Sequence, residues 1–316
     1  MRFIFRADAS TKIGAGHVMR CFAIMEEAIS REIECIFVGE LNGIDWLEQS
    51  LTALGVTCLE DPQKLEIMRQ TDVLLLDSYD VQTSDPFIQN HNWKAVVVIS
   101  DDSTPPYESS LVVHLGINQL KTNVAGAVYL SGPSYFPFRK SIQKRRNLNL
   151  EEISNIVIFG GGVDAYDFAL NLANKLKFIR GFSRAVFISN LSSEISSLDS
   201  RFSTRNRGSA LDDELRNADL VFTTASVSSF EIIAMEIPLG ICRVTDNQIP
   251  YFDFLIQEGL AVGIGNIDVN HNWHLDSFQI SRIITDSKLR RSLVRNSSDF
   301  YDLQGSRRIV DAVLKL

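Results

Sequence analysis

Short apolar runs rich in β-branched residues alternate with stretches of helical period almost from end to end of the chain, as in parallel sheets covered by helices. In the first half the runs are Phe3–Phe5, Glu34–Val38, Val73–Leu76, Ala95–Ile99 and Leu111–Leu115. Between the first two, Val18, Cys21, Phe22, Met25 and Ile29 recur at three- and four-residue steps. This spacing predicts a helix over His17–Glu32 whose methionine and aromatic stripe faces a core, not a cofactor. A polar stretch from Ile142 to Glu152 interrupts the pattern and marks a domain boundary. The second half restarts with Ile156–Phe159, the turn Gly160-Gly161-Gly162 and a helix over Ala165–Ile179. Strands follow over Ala185–Ser189, Leu220–Thr223 and Leu239–Val244, with helices near Leu211–Asn217 and Ser228–Met235. The pattern therefore predicts an α/β chain of two doubly wound, Rossmann-like domains, residues 1–145 and 150–304, facing a central cleft. Residues 305–316 form a terminal helix expected to pack back on the first domain.

At 316 residues the chain exceeds the size at which one core stops growing, which agrees with two domains. Its hydrophobic fraction of 45% and charged fraction of 22% are ordinary for a globular protein. A net charge of −8 argues against a nucleic-acid binder, so an anionic ligand must be held locally by helix ends and a few donors. The one compact basic run, Lys144-Arg145-Arg146, reads as a solvated linker. The opening Met1–Arg6 is too soon broken by charge to be a secretory signal, and no window approaches the ~18 apolar residues of a membrane span. Expected, then, is a cytoplasmic protein without membrane insertion. Cys21, Cys35, Cys58 and Cys242 lie in apolar patterns without C-x-x-C spacing and read as buried reduced thiols. His271 and His274 read as a surface turn, and no metal is assigned. Nothing in the chain dictates assembly, and a monomer is expected.

Candidate chemistry gathers where strands end. Arg6, Asp8, Ser10 and His17 share the first strand-to-helix loop. Asp77-Ser78-Tyr79-Asp80 and Asp101-Asp102 each follow an apolar strand, and Asp246-Asn247-Gln248 follows Leu239–Val244. Sheets fix such side chains while loops admit substrate, although each group alone also reads as caps and turns. A strand entering a helix through Gly14-Ala15-Gly16 offers backbone amides and a favourable dipole to an anion, here beside the imidazole of His17. The bland alternative is that the glycines only turn the chain. Ala225–Ser229 is a second run of small residues ahead of a helix, and Glu231 on its first turn suits the hydroxyls of a ribose. Spacing alone favours another role for Glu231, as the partner of a Ser228 cap.

The residues Arg6-Ala7-Asp8-Ala9-Ser10 and Ile13-Gly14-Ala15-Gly16-His17-Val18-Met19-Arg20-Cys21 resemble the opening of the UDP-sugar hydrolases of pseudaminic acid biosynthesis. These belong to the GT-B superfamily beside the MurG-type N-acetylglucosaminyltransferases. The resemblance continues through Asp77-Ser78-Tyr79, Asp101-Asp102, Asn118-Gln119, Gly132-Pro133-Ser134-Tyr135 with Arg139, Gly160-Gly161, Ser229-Phe230-Glu231 and Asp246-Asn247-Gln248. It implies hydrolysis of UDP-2,4-diacetamido-2,4,6-trideoxy-β-L-altropyranose to free sugar and UDP, with C–O cleavage, inversion, and neither metal nor other cofactor. It makes His17 the catalytic base, with Tyr79 near the sugar and Asp8 or Asp77 orienting the ring. Arg6, Gly14, Gly16, Arg20 and Asp77 are expected on the substrate side. Gly160, Gly161, Ser226, Ser228, Ser229, Glu231, Asn247 and Gln248 are expected around UDP. Where that family has a Gly-Ser pair this chain has Ser226-Val227, and Phe230 replaces a common tryptophan while keeping an aromatic surface. Catalysis by His17 requires a ring that is reachable and not packed inside protein. The alternatives are an inverting UDP-sugar glycosyltransferase on the same fold and a non-catalytic sugar-nucleotide-binding protein.

Overall fold

The computed structural model describes residues 1–10, 13–60, 64–65, 71–78, 81, 84–89, 92–101, 109–117, 126–145, 149–161, 164, 166–206 and 209–316. Tyr79, Asp80, Asp102, Asn118, Gln119, Arg146 and Gly162 lie outside the described residues. The chain divides into two compact units, Met1–Lys140 with Asp302–Leu316, and Ser141–Tyr301.

The first unit opens with β1 (Arg2–Ala7), β2 (Ala9–Ser10), α1 (Gly16–Ile29), β3 (Glu34–Val38), β4 (Leu41–Asn42), α2 (Asp45–Ala53) and β5 (Thr57–Leu59). It continues through β6 (Asp72–Asp77), α3 (Pro86–Gln89), β7 (Ala95–Ser100), β8 (Leu111–His114) and β9 (Val128–Ser131). Seven of these strands form one parallel sheet in the order β5-β3-β1-β6-β7-β8-β9. Phe3, Ile4, Phe5 and Val73–Leu76 are wholly buried, because strands covered on both faces are apolar throughout and do not alternate. After β1 the chain winds outward through β3 and β5, then returns to lay β6 on the other side of β1. Ala7 pairs with Asp77 in register, so the loop after β1 starts beside the carboxyl end of β6. Ligands bind at such a reversal of strand order in doubly wound sheets. The core stripe of α1 is Val18, Cys21, Ile24, Met25 and Ala28; Phe22 and Ile29, assigned to it from sequence, are only half-buried.

The second unit repeats the plan with β10 (Ile153–Phe159), α4 (Phe168–Leu176), β11 (Phe182–Ile188), α5 (Ser192–Ser196), β12 (Phe202–Arg205), α6 (Ser209–Leu215) and β13 (Leu220–Thr224). Next come α7 (Val227–Ala234), β14 (Leu239–Arg243), α8 (Ile249–Gln257), β15 (Val262–Ile267), β16 (Trp273–Leu275), α9 (Ser277–Thr285) and α10 (Ser287–Ser297). The sheet order is β12-β11-β10-β13-β14-β15-β16, parallel except for the antiparallel β15–β16 hairpin. Its reversal lies between β10 and β13, where the glycine turn and the Ala225–Ser229 turn leave the sheet. His271 and His274 occupy the turn and final strand of that hairpin, with His274 Nε2 3.0 Å from Asp268.

The chain ends with α11 (Gly305–Val313), which packs on α1 in the first unit. Arg31 joins them by donating to Asp311 at 2.5 Å. The Lys144–Arg145 run is no solvated linker. Arg145 donates its backbone amide to Met235 O at 3.0 Å, and its guanidinium to Leu215 O at 3.2 Å and Ala218 O at 3.0 Å. Lys144 Nζ reaches Glu236 at 2.7 Å and Ser298 O at 2.6 Å. The Arg145 guanidinium thus satisfies carbonyls at the end of α6 and Lys144 one at the end of α10, where the helix dipole favours positive charge. Cys21, Cys35 and Cys242 are buried free thiols, and Cys58 is only half-buried. Among the described residues, no helix is long and apolar enough to cross a membrane.

Candidate functional site

Helical spacing puts His17 and Arg20 on one face of the first turn of α1. Both converge on Asp77, the last residue of β6. His17 Nδ1 is 2.6 Å from Asp77 Oδ1. An Arg20 outer nitrogen also lies 2.9 Å from Nδ1 but donates to Asp77 Oδ1; the carboxylate can only accept, so the 2.6 Å contact assigns the proton to Nδ1 and leaves Nε2 as the basic nitrogen of a neutral ring. Arg20 donates Nε to Asp77 Oδ2 at 2.8 Å and an outer nitrogen to Oδ1 at 2.7 Å, the bidentate fork that guanidinium favours. Its other outer nitrogen donates to Asp101 Oδ2 at 3.0 Å, just beyond the end of β7. Of the two carboxylates considered for orienting the imidazole, Asp77 is the one in contact. Asp8 instead accepts from Arg6 at 2.5 Å and from the Glu40 amide at 2.9 Å, fixing the loop that carries β2.

Anchoring at Nδ1 draws the ring against the sheet, and the His17 side chain keeps 9% of its surface. His17 is thus buried, against the expectation of a ring not packed inside protein, because the bond to Asp77 holds it at the end of β6. Neighbouring Cys21 is pushed well above the ordinary thiol range by burial, reinforced by the charge of Asp77, and stays protonated. Upstream, Gly14 takes a left-handed φ of 80° and donates its amide to Ser10 O at 2.8 Å, closing the turn before α1. Ala15, the N-cap of α1, makes no side-chain cap bond.

In the second unit Gly161 has a φ of 81°, and a Cβ there would lie 3.1 Å from Thr224 Oγ1 and 3.4 Å from Ser226 Oγ. The two turns at the strand reversal are therefore in van der Waals contact. A Cβ on Gly160 would collide with the Asp164 carboxylate. Asp164 accepts from the amides of Phe168 at 2.8 Å and Ala169 at 3.1 Å, so α4 already holds an anion of its own. The start of α7 differs. Ser226 is its N-cap in extended conformation but makes no side-chain cap bond, and its Oγ is buried without a partner. Ser229 returns its amide and hydroxyl to Ser226 O at 2.9 and 2.5 Å. Ser226, not Ser228, thus occupies the N-cap position, and Glu231 lies beyond the third helical position. The capping-box role is excluded by geometry, and Glu231 is a buried carboxylate, 9% exposed.

No protein-family profile matches the chain. It is 22% identical over 195 residues, 60% of this chain and 71% of the relative, to the UDP-2,4-diacetamido-2,4,6-trideoxy-beta-L-altropyranose hydrolase of Campylobacter jejuni subsp. jejuni. It is 25% identical over 257 residues to the UDP-N-acetylglucosamine--N-acetylmuramyl-(pentapeptide) pyrophosphoryl-undecaprenol N-acetylglucosamine transferase of Campylobacter jejuni subsp. doylei, 71% of this chain and 73% of that one. Among solved structures it superposes on Acinetobacter baumannii MurG with a TM-score of 0.70 at 11% identity, over 100% of both chains. The chain has the GT-B fold. A further structure similar to it is that of S. aureus MnaA with UDP, at a TM-score of 0.63 and 11% identity, covering 99% of this chain and 96% of that one.

The remaining candidates in this GT-B chain are more local. Gln248 accepts from the Val244 amide at 2.9 Å, and Asn247 accepts from Thr245 Oγ1 at 2.5 Å, so both brace the turn after β14. Phe230 offers no aromatic surface: it is buried, edge-on to Tyr251 and Tyr301 at centroid distances of 5.4 and 6.4 Å. Two roles were missed from sequence. The contact of Arg20 with Asp101 was signalled by carboxylates at the ends of neighbouring strands and an arginine three residues after His17. The helix-capping role of Asp164 was signalled by an acidic residue four positions ahead of Phe168. Among the described residues, no group of three His, Cys, Asp or Glu side chains is placed to hold a metal ion.

Proposed function

We propose that the chain is a hydrolase of UDP-2,4-diacetamido-2,4,6-trideoxy-β-L-altropyranose, releasing the free sugar and UDP with inversion. The observation that carries this reading is the 2.6 Å bond from His17 Nδ1 to Asp77, which prepares Nε2 to accept a proton. A water gives its proton to Nε2 as its oxygen bonds to the anomeric carbon. The bond from that carbon to the diphosphate oxygen breaks, and its electron pair leaves with UDP. General-base help of this kind contributes about 10² to 10⁴ in rate. Tyr79, Arg6 and the Gly14–Gly16 turn serve the sugar side. UDP is held by the second unit: the start of α7 with Ser226, Ser228 and Ser229 takes the diphosphate next to Gly160 and Gly161. Glu231 takes the ribose hydroxyls, and Asn247 and Gln248 complete that site. The uncapped start of α7 favours charge growing on the departing diphosphate. Similarity to a curated enzyme of this activity supports the assignment.

An inverting UDP-sugar glycosyltransferase is the second reading, favoured by the whole-length likeness to MurG. Incubating enzyme and UDP-sugar alone in ¹⁸O-labelled water separates the two. Stoichiometric free sugar carrying ¹⁸O, with unlabelled UDP, is the expected result. Turnover only in the presence of an acceptor assigns the transferase, and binding without any turnover assigns a sugar-nucleotide-binding protein.

A further inference from the structure

Arg20 stands where a substrate-binding arginine is expected, one helical turn after His17, yet its geometry serves the protein. Its side chain is 4% exposed, and all three guanidinium nitrogens are engaged: two on the two oxygens of Asp77 and one on Asp101. An arginine that binds phosphate directs its fork at the ligand, whereas this fork is spent on the carboxylate that orients the ring. We infer that Arg20 is a positioning residue for the His17–Asp77 pair, with Asp101 as its second anchor, and not a ligand of the sugar nucleotide. The inference rests on the reading of His17 as base.

The charges explain why the pair needs this support. Asp77 approaches the ring from β6 and Asp101 stands beyond β7, while Arg20 alone among the described cations meets them from α1. Cys21 beside them is a neutral thiol, and Arg6 and Asp8 compensate each other in the adjoining loop. The outer nitrogen of Arg20 that donates to Asp77 Oδ1 also lies 2.9 Å from Nδ1, so the guanidinium bears on the ring and on its carboxylate together. Without Arg20 the Asp77 carboxylate would face the ring with its charge uncompensated, and without Asp101 the guanidinium would lose its second anchor.

Steady-state kinetics across pH on Arg20→Met, Arg20→Lys and Asp101→Asn test this. In Arg20→Met, kcat is expected to fall at least about tenfold with KM changed less than about threefold, and the acid limb of the profile to move up by about one pH unit. Lysine lacks the planar fork and is not expected to restore kcat. In Asp101→Asn the acid limb is expected to move the opposite way, and this variant carries the test if Arg20→Met does not fold. A rise in KM at unchanged kcat, or movement of both limbs in one direction, overturns the inference. Proton NMR of the free enzyme gives a readout without turnover: the downfield Nδ1 proton of His17 is expected in the parent and displaced in Arg20→Met. If the parent cleaves no UDP-sugar while that resonance responds, the hydrolase reading fails and the role of Arg20 stands. An unmoved resonance overturns that role.

Discussion

Asp77 accepts the Nδ1 proton of His17 at 2.6 Å and grips Arg20 with both of its oxygens. One carboxylate at the end of β6 therefore sets the tautomer of the ring and the place of the guanidinium together. It is 1% exposed, and a carboxylate so enclosed is tolerable only with such partners.

Replacing it with an amide separates orientation from mere presence. In Asp77→Asn the new side chain has one acceptor oxygen for two donors, so either the ring or Arg20 loses its anchor. Turnover is expected to fall at least about a hundredfold, because the proton then occupies either ring nitrogen. Affinity for UDP, measured calorimetrically, is expected to change less than about twofold, since the proposed UDP site lies in the second unit. Wild-type turnover in Asp77→Asn would remove Asp77 from the mechanism.

The second unit offers a test through its backbone. Gly161 has left-handed φ and only van der Waals space facing Thr224 and Ser226. Gly161→Ala combines a left-handed strain of about 1–2 kcal/mol with displacement of the Ser226 turn. UDP affinity is expected to drop about tenfold while the His17 Nδ1 proton resonance stays in place. Unchanged UDP binding would show that this turn does not hold the diphosphate.

The contrast between strands read and missed has a physical cause. Glu34–Val38 was found from sequence with its observed bounds, and β1, β6, β7 and β8 nearly so, because strands buried on both faces write unbroken apolar runs. Missing from the two large sheets were β5, β9, β12, β15 and β16, which lie at or near the sheet edges, and the two-residue strands β2 and β4 were missed as well. Thr57–Leu59 and Val128–Ser131 are largely half-exposed, and Val262–Ile267 carries two glycines, so none writes a continuous apolar signal. At the site, the strand ends were legible but the pairing across them was not. Asp8 and Asp77 are equivalent on paper, and only the register Ala7↔Asp77 brings the second beneath His17. Likewise Ser228 and Glu231 have capping-box spacing, but α7 begins at Val227, which leaves Glu231 outside the first turn.

A buried arginine holds the second unit together away from the site. Arg290 is 1% exposed and donates to Leu150 O, Glu151 O, Ile283 O and Ile284 O at 2.7 to 3.1 Å. Burial lowers its pKa from the ordinary range while nearby Asp286 counters the effect. It ties the segment before β10 to the end of α9. Arg290→Met keeps the volume but strands four carbonyls, and a loss of about 3 kcal/mol is expected from urea unfolding of the second unit. A loss below about 1 kcal/mol would mean that water replaces the guanidinium without cost.

Asp199 and Arg201 link the same unit to pH. Arg201 lies 4.2 Å over the Phe182 ring and donates to Ile179 O at 2.8 Å beyond the end of α4, while Asp199 accepts from its Nε at 3.0 Å, its outer nitrogen at 2.7 Å and its amide at 2.9 Å. These bonds, the guanidinium bond foremost, hold the Asp199 carboxyl down to about 2. A carboxyl depressed in the folded state stabilises the fold above its ordinary value near 4 and loses that contribution as pH falls toward the folded value. The window here is therefore about pH 4 down to about pH 2. Thermal unfolding of the parent and Asp199→Asn, recorded from pH 6 to about pH 2.5, is expected to show the parent more stable above the window and the two converging within it. Comparison with the variant removes the acid sensitivity contributed by every other carboxylate. A gap in Tm that stays constant across the window would mean that Asp199 and Arg201 contribute packing alone and no proton linkage.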